Sequence, residues 1–200
     1  MAVKVADRGN LPPFIVMDVM KSSAEREATG ADVLHLEVGQ PSTPAPKKVL
    51  EAAQFAITND NLGYTVAFGL PELRERISQH YKLWYGVDIS IGRVAVTNGS
   101  SAAFVLSFMA SFNPGDRVAM VAPGYPAYRN ILTALGIETI ELQANIEHRF
   151  QPTVSLLKKI KGNIDGLIIA SPSNPTGTMI DKRLMEELAN YCEYEGIRLI

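Results

Sequence analysis

The sequence predicts an α/β protein with a mostly parallel sheet covered by helices on both faces. Two observations support this class. Short apolar runs alternate with helical segments from residue 94 onward, and runs such as residues 118–121 and 167–170 are apolar at every position. Strands that are apolar throughout are typical of parallel sheets buried on both faces, because the connecting helices cover each face.

The first half of the chain predicts helices that begin at prolines, whose fixed φ suits a first helical turn. One helix is expected after Pro12-Pro13 and should end near Gly30, and a short β-rich segment at residues 33–38 predicts a strand. Further helices should begin near Pro46 and at Pro71.

The second half predicts a regular alternation. Strands are expected at residues 94–96, 118–121, 137–142, 167–170 and 197–200, and helices at residues 102–112, 126–135, 154–160 and 181–195. We expect residues 1–45 to form an N-terminal arm and a small-domain segment, and residues 46–200 to form a large domain that continues past Ile200. The alternative is that residues 197–200 form a true edge strand.

Composition excludes several classes of function. Nineteen basic and 21 acidic residues give a net charge of −2, without the basic footprint of a nucleic-acid or membrane-surface protein. No segment approaches the roughly 20 apolar residues that a membrane helix needs, so a cytoplasmic protein is expected. The only cysteine, Cys192, excludes an intrachain disulfide and is expected to be a structural thiol. The three histidines lack metal-ligand spacing, so no metal site is predicted.

Three loops at predicted strand ends carry candidate binding residues, since ligands of open α/β sheets bind beyond the carboxyl ends of strands. The first is residues 97–102, where Gly99 precedes Ser100 and Ser101. The first amides of a helix have no internal partner and lie at its positive end, which suits a phosphate group. An ordinary helix cap is the alternative interpretation.

The other two loops offer a ring and an amide. Tyr125 follows a Pro-Gly turn and can stack on a flat ligand, or it can pack its own loop onto the domain. Asn174 lies in the proline-rich loop of residues 171–177, where its amide can donate to a ligand oxygen or belong to a plain Asn-Pro turn. Neither a Walker A pattern nor a G-x-G-x-x-G fingerprint is present, which disfavours a nicotinamide oxidoreductase.

Taken together, these segments resemble class I/II aminotransferases of the aspartate-aminotransferase type, which are pyridoxal 5'-phosphate enzymes of fold type I. The resemblance covers residues 39–177, and Asn174-Pro175-Thr176-Gly177 is its most specific part. The matching segments are Gly39-Gln40-Pro41 with Pro44, Tyr64 with Gly69-Leu70-Pro71-Glu72-Leu73-Arg74, Asn98-Gly99-Ser100-Ser101-Ala102, Pro114-Gly115-Asp116, Pro123-Gly124-Tyr125-Pro126 and Ser171-Pro172-Ser173-Asn174-Pro175-Thr176-Gly177.

The resemblance implies roles for the residues of the three loops. Gly99, Ser100 and Ser101 would hold the cofactor phosphate, and Tyr125 would stack on the pyridine ring. Asn174 would donate a hydrogen bond to the phenolic oxygen of the cofactor.

The resemblance also implies two contacts from the first half of the chain. Tyr64 would reach the cofactor phosphate of a neighbouring subunit, so a homodimer with shared active sites is expected. Gly39 would place its backbone amide near the carboxylate of the amino acid or 2-oxo acid substrate.

The sequence departs from the family in its lysines. None of the nine has the Ser-x-Ser-Lys-like context of the lysine that holds the cofactor as a Schiff base, so no catalytic residue is assigned in this chain and that lysine is expected beyond Ile200. The chain alone is therefore expected to be inactive. The alternatives are a carbon–sulfur lyase or related synthase on the same scaffold, or a non-catalytic module for ligand binding or dimerisation.

Overall fold

The computed structural model describes residues 3–200 and divides the chain into two compact units. One unit consists of Ile15–Ser100. The other joins the N-terminal residues up to Phe14 with Ser101–Ile200. The expected division of the chain after residue 45 stays a prediction.

The Ile15–Ser100 unit is helical. Its helices are α1 (Ile15–Ala28), α2 (Lys47–Asn59) and α3 (Pro71–Tyr85). Pro46 caps α2, and Pro71 opens α3, which ends at Gly86 in the left-handed conformation. These starts confirm the helices predicted from the prolines, because a fixed φ near −65° and a missing N–H cost nothing at the first turn.

The strands predicted at residues 33–38 and 94–96 are wrong. Both segments are free of regular secondary structure. Leu34 and Leu36 are 86% and 93% exposed. Among the described residues neither segment has a neighbouring strand, and a β-rich run becomes a strand only where a partner supplies the ladder of hydrogen bonds.

Side-chain and loop contacts hold the second of these segments instead. The Arg74 guanidinium on α3 donates to the carbonyls of Val94 and Ile91 at 2.8 and 2.7 Å. The amide of Val96 donates to the Phe68 carbonyl at 3.0 Å. Gly69 has a φ of +92°, and a Cβ there would lie 2.7 Å from that of Val96, so this close approach requires glycine.

The second unit carries the parallel sheet. Its helices are α4 (Gly99–Ser111, which begins at the boundary of the two units), α5 (Pro126–Ala134), α6 (Val154–Leu157) and α7 (Lys182–Glu195). Its strands are β1 (Arg117–Ala122), β2 (Glu138–Gln143), β3 (Gly166–Leu167) and β4 (Arg198–Leu199). They lie in the order β2-β1-β3-β4, and every neighbouring pair is parallel.

Helices cover both faces of this sheet, as the apolar runs predict. Val118 and Met120 of β1 pack with Phe108 of α4 and Leu132 of α5. Ala119, between them in sequence, points to the opposite face, where the core includes residues from α6 and α7. Successive residues of a strand face opposite sides, so β1 contributes to two separate cores.

Cys192 is 2% exposed within the α7 side of the core, and burial raises the pKa of its thiol, which confirms a structural cysteine.

In the part of the chain that the structure describes, no helix has the length and apolar character needed to cross a bilayer.

Candidate functional site

Two of the three candidate loops leave the same edge of the sheet. Strands β1 and β3 are parallel neighbours, with Val118 opposite Gly166 and Ala119 opposite Leu167. The turn that carries Tyr125 follows β1, and the loop that carries Asn174 follows β3. Parallel neighbours place their carboxyl ends together, and this is the edge at which open α/β sheets bind ligands.

Tyr125 is held at this edge by other aromatic rings. It caps α5, whose first residue is Pro126. Its ring meets Tyr128 and Phe14 edge-on, at centroid distances of 5.4 and 6.2 Å. A Cβ on Gly124 would collide with the Val121 carbonyl, so the turn before Tyr125 admits only glycine. The ring of Tyr125 remains partly exposed and available to a ligand.

Residues 101–111 of helix α4 belong to the same unit as this loop. The helix ends where the chain turns into β1, so its first turn lies toward the carboxyl edge of the sheet. Phe104, three residues after Ser101, meets the Tyr128 ring edge-on at 4.9 Å. Burial, followed by the proximity of Tyr125, raises the pKa of Tyr128. The Tyr128 ring therefore joins Phe104 of α4 to the Tyr125 loop.

The start of α4 has the features of an anion site. Gly99 has a φ of +80°, its amide donates to the Thr97 carbonyl at 2.8 Å, and the Thr97 hydroxyl donates to the Gly99 carbonyl at 2.9 Å. Ser100 and Ser101 follow with exposed side chains. The first amides of a 13-residue helix, with two hydroxyls beside them, can bind a phosphate.

Asn174 lies at the exposed end of a tight loop. The Ser173 amide donates to the Thr178 carbonyl at 2.9 Å, and the Gly177 amide donates to the Ser173 carbonyl at 2.7 Å. At the base of the loop the Ile180 amide donates to the Ser171 hydroxyl at 2.9 Å. These bonds fix the backbone on both sides of Asn174, so its amide is presented from a rigid loop.

Gly39 and Tyr64 lie in the Ile15–Ser100 unit, and so do Gly99 and Ser100. Gly39 is exposed in the segment after α1, and Tyr64 is fully exposed between α2 and α3. The structure thus brings Ser101, Tyr125 and Asn174 to one edge of one unit. Convergence of the other candidate residues with them stays a prediction.

A histidine on the segment before Gly39 has a strongly shifted pKa. His35 Nε2 lies 2.9 Å from Glu27 of α1, and its Nδ1 lies 2.6 Å from Glu37. Hydrogen bonds to Glu27 and then to Glu37 raise the pKa of His35 to about 9. The same contact with His35 lowers the pKa of Glu37. A charged His35 therefore ties this segment to α1 at neutral pH.

Sequence analysis does not single out two side chains beneath these loops, Tyr128 and Gln151. Together with Gly124 and Ser173 they line a cavity of about 20 Å³. Tyr128 follows Tyr125 by three residues at a helix start, and that spacing is a usable signal. Gln151 carries no such signal, because its hydrogen-bond partner Thr178 is 27 residues away.

The fold and this edge define the class of protein: an α/β domain whose adjacent parallel strands present an aromatic ring and a side-chain amide at their carboxyl ends. The family model for class I and II aminotransferases matches residues 31–200. The chain belongs to this family.

Individual relatives agree with that assignment. Valine–pyruvate aminotransferase of Mycobacterium tuberculosis is 46% identical over 200 residues, covering 100% of this chain and 52% of the relative. Aspartate aminotransferase of Pyrococcus horikoshii is 32% identical, covering 88% of this chain and 45% of the relative. The chain thus spans about half the length of the curated relatives it matches.

Solved structures show the same fold. A crystal structure of an aminotransferase from Mycobacterium tuberculosis matches with a TM-score of 0.94 and 45% identity, covering 99% of this chain and 51% of the other. Aspartate aminotransferase from Thermus thermophilus with maleate matches with a TM-score of 0.92 and 26% identity, covering 99% of this chain and 52% of the other. These matches confirm the fold type predicted from the sequence.

Proposed function

We propose that the intact protein transfers an amino group between an amino acid and a 2-oxo acid by means of pyridoxal 5'-phosphate. In this proposal the 200 residues hold the phosphate and the ring of the cofactor. Family membership supports the reaction class. The valine–pyruvate aminotransferase relative makes valine and pyruvate the first substrates to test.

The observation that carries the proposal is the placement of Tyr125 and Asn174 after adjacent parallel strands. A flat ligand above this edge would meet an aromatic face from the β1 loop and an amide donor from the β3 loop. Ser101, three residues before Phe104 on α4, is proposed to add an anion-binding hydroxyl at the same edge, since Phe104 packs on Tyr128.

The residues present fit the cofactor part by part. Its phosphate dianion suits the free amides and hydroxyls of Ser100 and Ser101 after Gly99, its pyridine ring suits stacking on Tyr125, and its phenolic oxygen can accept a hydrogen bond from Asn174. When bound, the cofactor supplies an electron sink for the amino-acid substrate. The contribution of this chain is to bind and orient the cofactor and to polarise its phenolic oxygen through Asn174.

Two residues of the Ile15–Ser100 unit extend the proposal. Gly39 is proposed to offer its amide to the substrate carboxylate. The exposed ring of Tyr64 is proposed to reach the cofactor phosphate of a second subunit in a homodimer, and its complete exposure in the single chain supports that assignment.

We assign no catalytic residue to this chain. In the unit that carries the sheet, Lys158 caps the end of α6 and Lys159 follows it, and Lys161 and Lys4 lie near the starts of β1 and β2, at the edge opposite Tyr125. Lys182 opens α7 with a 91% exposed side chain beside Glu186. None of these positions offers an amine to a ring stacked on Tyr125, so we expect no turnover from the chain alone.

Binding of pyridoxamine 5'-phosphate tests the cofactor site without requiring a lysine. Calorimetry should detect one saturable site per chain. We expect Asn174→Ala to weaken binding about tenfold, the loss of roughly one hydrogen bond to a charged acceptor. Asn190→Ala, an exposed asparagine on α7, is the matched control and should bind as the parent protein does. Equal affinities for the two variants, or no binding by the parent, would overturn the proposal.

A second experiment tests the chemistry. After incubation with pyridoxal 5'-phosphate and borohydride, mass spectrometry should find no single stoichiometric lysine adduct, and valine with pyruvate should give no amino transfer. A saturable adduct with turnover would contradict the assignment of no catalytic lysine. Release of pyruvate from a sulfur-containing amino acid without amino transfer would favour the carbon–sulfur lyase.

A further inference from the structure

Gln151 is the buried polar side chain beneath the Asn174 loop. It is 2% exposed. Its Nε2 donates to the carbonyl of Thr178 at 2.8 Å and to the hydroxyl of Thr178 at 2.9 Å. The same carbonyl accepts the Ser173 amide that closes the loop, and the same hydroxyl lies 2.9 Å from that of Thr176. The Gln151 amide thus holds Thr178, the residue that follows the loop of residues 171–177 and closes it through Ser173.

The segment before Gln151 adopts an uncommon conformation that delivers this side chain. Arg149 and Phe150 have φ values of 51° and 55°, in the left-handed region that non-glycine residues rarely occupy. The Phe150 amide donates to the Asn145 carbonyl, and the Gln151 amide donates to the His148 carbonyl, each at 3.0 Å. Consecutive residues in this region are costly, so the surrounding contacts must favour this path of the chain.

Gln151 also lies close to the turn that carries Tyr125, because both line the same cavity. Gln151, Ser173, Gly124 and Tyr128 all line the cavity of about 20 Å³ under the sheet edge. A cavity of this size leaves little room for the Tyr125 loop or the Asn174 loop to move toward the sheet. Gln151 therefore bonds to the residue that closes the Asn174 loop and also lines the same cavity as the turn before Tyr125.

We propose that Gln151 is a positioning residue. It holds the Asn174 loop in the position from which the Asn174 side-chain amide can donate to the phenolic oxygen of the cofactor. The inference rests on the proposed function, because it names the ligand that Asn174 meets. Gln151 itself touches neither cofactor nor substrate in this proposal. It acts through the two hydrogen bonds to Thr178, and the loop transmits its effect to Asn174.

Amide hydrogen exchange tests the positioning role in the absence of ligand. In Gln151→Met, exchange at Ser173 and Gly177 should rise roughly three- to tenfold, the effect of losing about one net hydrogen bond. Thr178→Val keeps the carbonyl and removes the hydroxyl, so its rise should be smaller. Gln143→Met changes an exposed glutamine at the end of β2 and should leave these amides unchanged. If amide exchange at Ser173 and Gly177 were unchanged in both Gln151→Met and Thr178→Val, the inference would be overturned even if the cofactor binds.

Pyridoxamine 5'-phosphate then tests whether Gln151 acts through Asn174. Gln151→Met should weaken binding about threefold or more in the parent protein and should have no further effect in the Asn174→Ala background. An equal loss in both backgrounds would mean that Gln151 supports the fold generally, and would overturn the positioning role. If the parent protein failed to bind pyridoxamine 5'-phosphate, the proposed function and the cofactor part of this inference would be overturned. The exchange experiment needs no ligand, so it would still test whether Gln151 holds the loop.

Discussion

Arg117 and Asp165 hold each other at the starts of two adjacent strands. The Arg117 amide donates to the Asp165 carboxylate at 2.7 Å, and the Asp165 amide donates to the Arg117 carbonyl at 2.7 Å. The Arg117 guanidinium also donates hydrogen bonds to the carbonyls of Lys161 and Asn163, in the turn before β3, at 3.1 and 2.5 Å. These contacts set the register of β1 and β3, and the register decides that the Tyr125 and Asn174 loops leave the sheet side by side.

Replacement of Asp165 should therefore destabilise the sheet. Asp165→Ala is expected to lower the free energy of unfolding by about 1–2 kcal/mol, because the Arg117 amide loses a charged acceptor. Asp165→Asn keeps an acceptor oxygen and should cost less. Urea unfolding measures both, with Glu193→Ala as an exposed acidic control expected to change stability by less than about 0.5 kcal/mol. Equal effects of Asp165→Ala and Glu193→Ala would contradict the role assigned to the contact.

Gly124 should not tolerate a side chain. Gly124→Ala would push a Cβ into the Val121 carbonyl and displace the turn before Tyr125, so we expect a loss of about 1–3 kcal/mol in unfolding free energy and weaker binding of pyridoxamine 5'-phosphate. Gly63→Ala is the matched control, since its nearest neighbour would lie 3.6 Å away, and its effect should stay within about 1 kcal/mol. A Gly124→Ala protein with parental stability and affinity would show that this close approach is unimportant.

Ser101 should contribute to phosphate binding. Ser101→Ala is expected to weaken pyridoxamine 5'-phosphate binding about tenfold, while binding of pyridoxamine, which lacks the phosphate, should not change. Ser107→Ala removes an exposed hydroxyl six residues further along α4 and should affect neither ligand. If Ser101→Ala weakened both ligands equally, the phosphate would have to be held elsewhere.

His35 should titrate well above an ordinary histidine. Its pKa is raised to about 9 by Glu27 and Glu37, so the charged form is favoured by folding. The resulting stabilisation is fully present below about pH 6.5, the ordinary pKa of a histidine, and is lost as the pH rises through about 9. NMR titration of the imidazole should give this midpoint in the parent protein.

Substitution of either carboxylate partner should move that midpoint. Glu27→Gln should lower the pKa of His35 most, since the hydrogen bond to Glu27 is the largest cause of the shift, and Glu37→Gln should also lower it. Glu25→Gln, which alters an exposed carboxylate paired with Lys21, should leave the midpoint in place. A parental midpoint near 6.5 would mean that the two contacts to His35 do not form in solution.

Local chemistry accounts for the elements that the sequence predicted well. The helices that begin after Pro46 and at Pro71 follow from the fixed φ of proline, and Gly86 ends the second of them in a conformation that favours glycine. The strands predicted at residues 33–38 and 94–96 failed for the opposite reason. Their residues have β propensity, yet a strand also requires a neighbour, and a neighbour is a property of the whole fold.

The sequence by itself determined the alternation of apolar strands with helices, the two-sided burial of β1 and the positions of Tyr125 and Asn174 just after strands. These features depend on residue type and short spacing, which act over a few residues. The tertiary structure alone decided that β1 and β3 are neighbours, that Asp165 meets Arg117 and that Gln151 lies under Thr178. Such contacts join residues 27 to 48 positions apart, and no local preference of the chain specifies them.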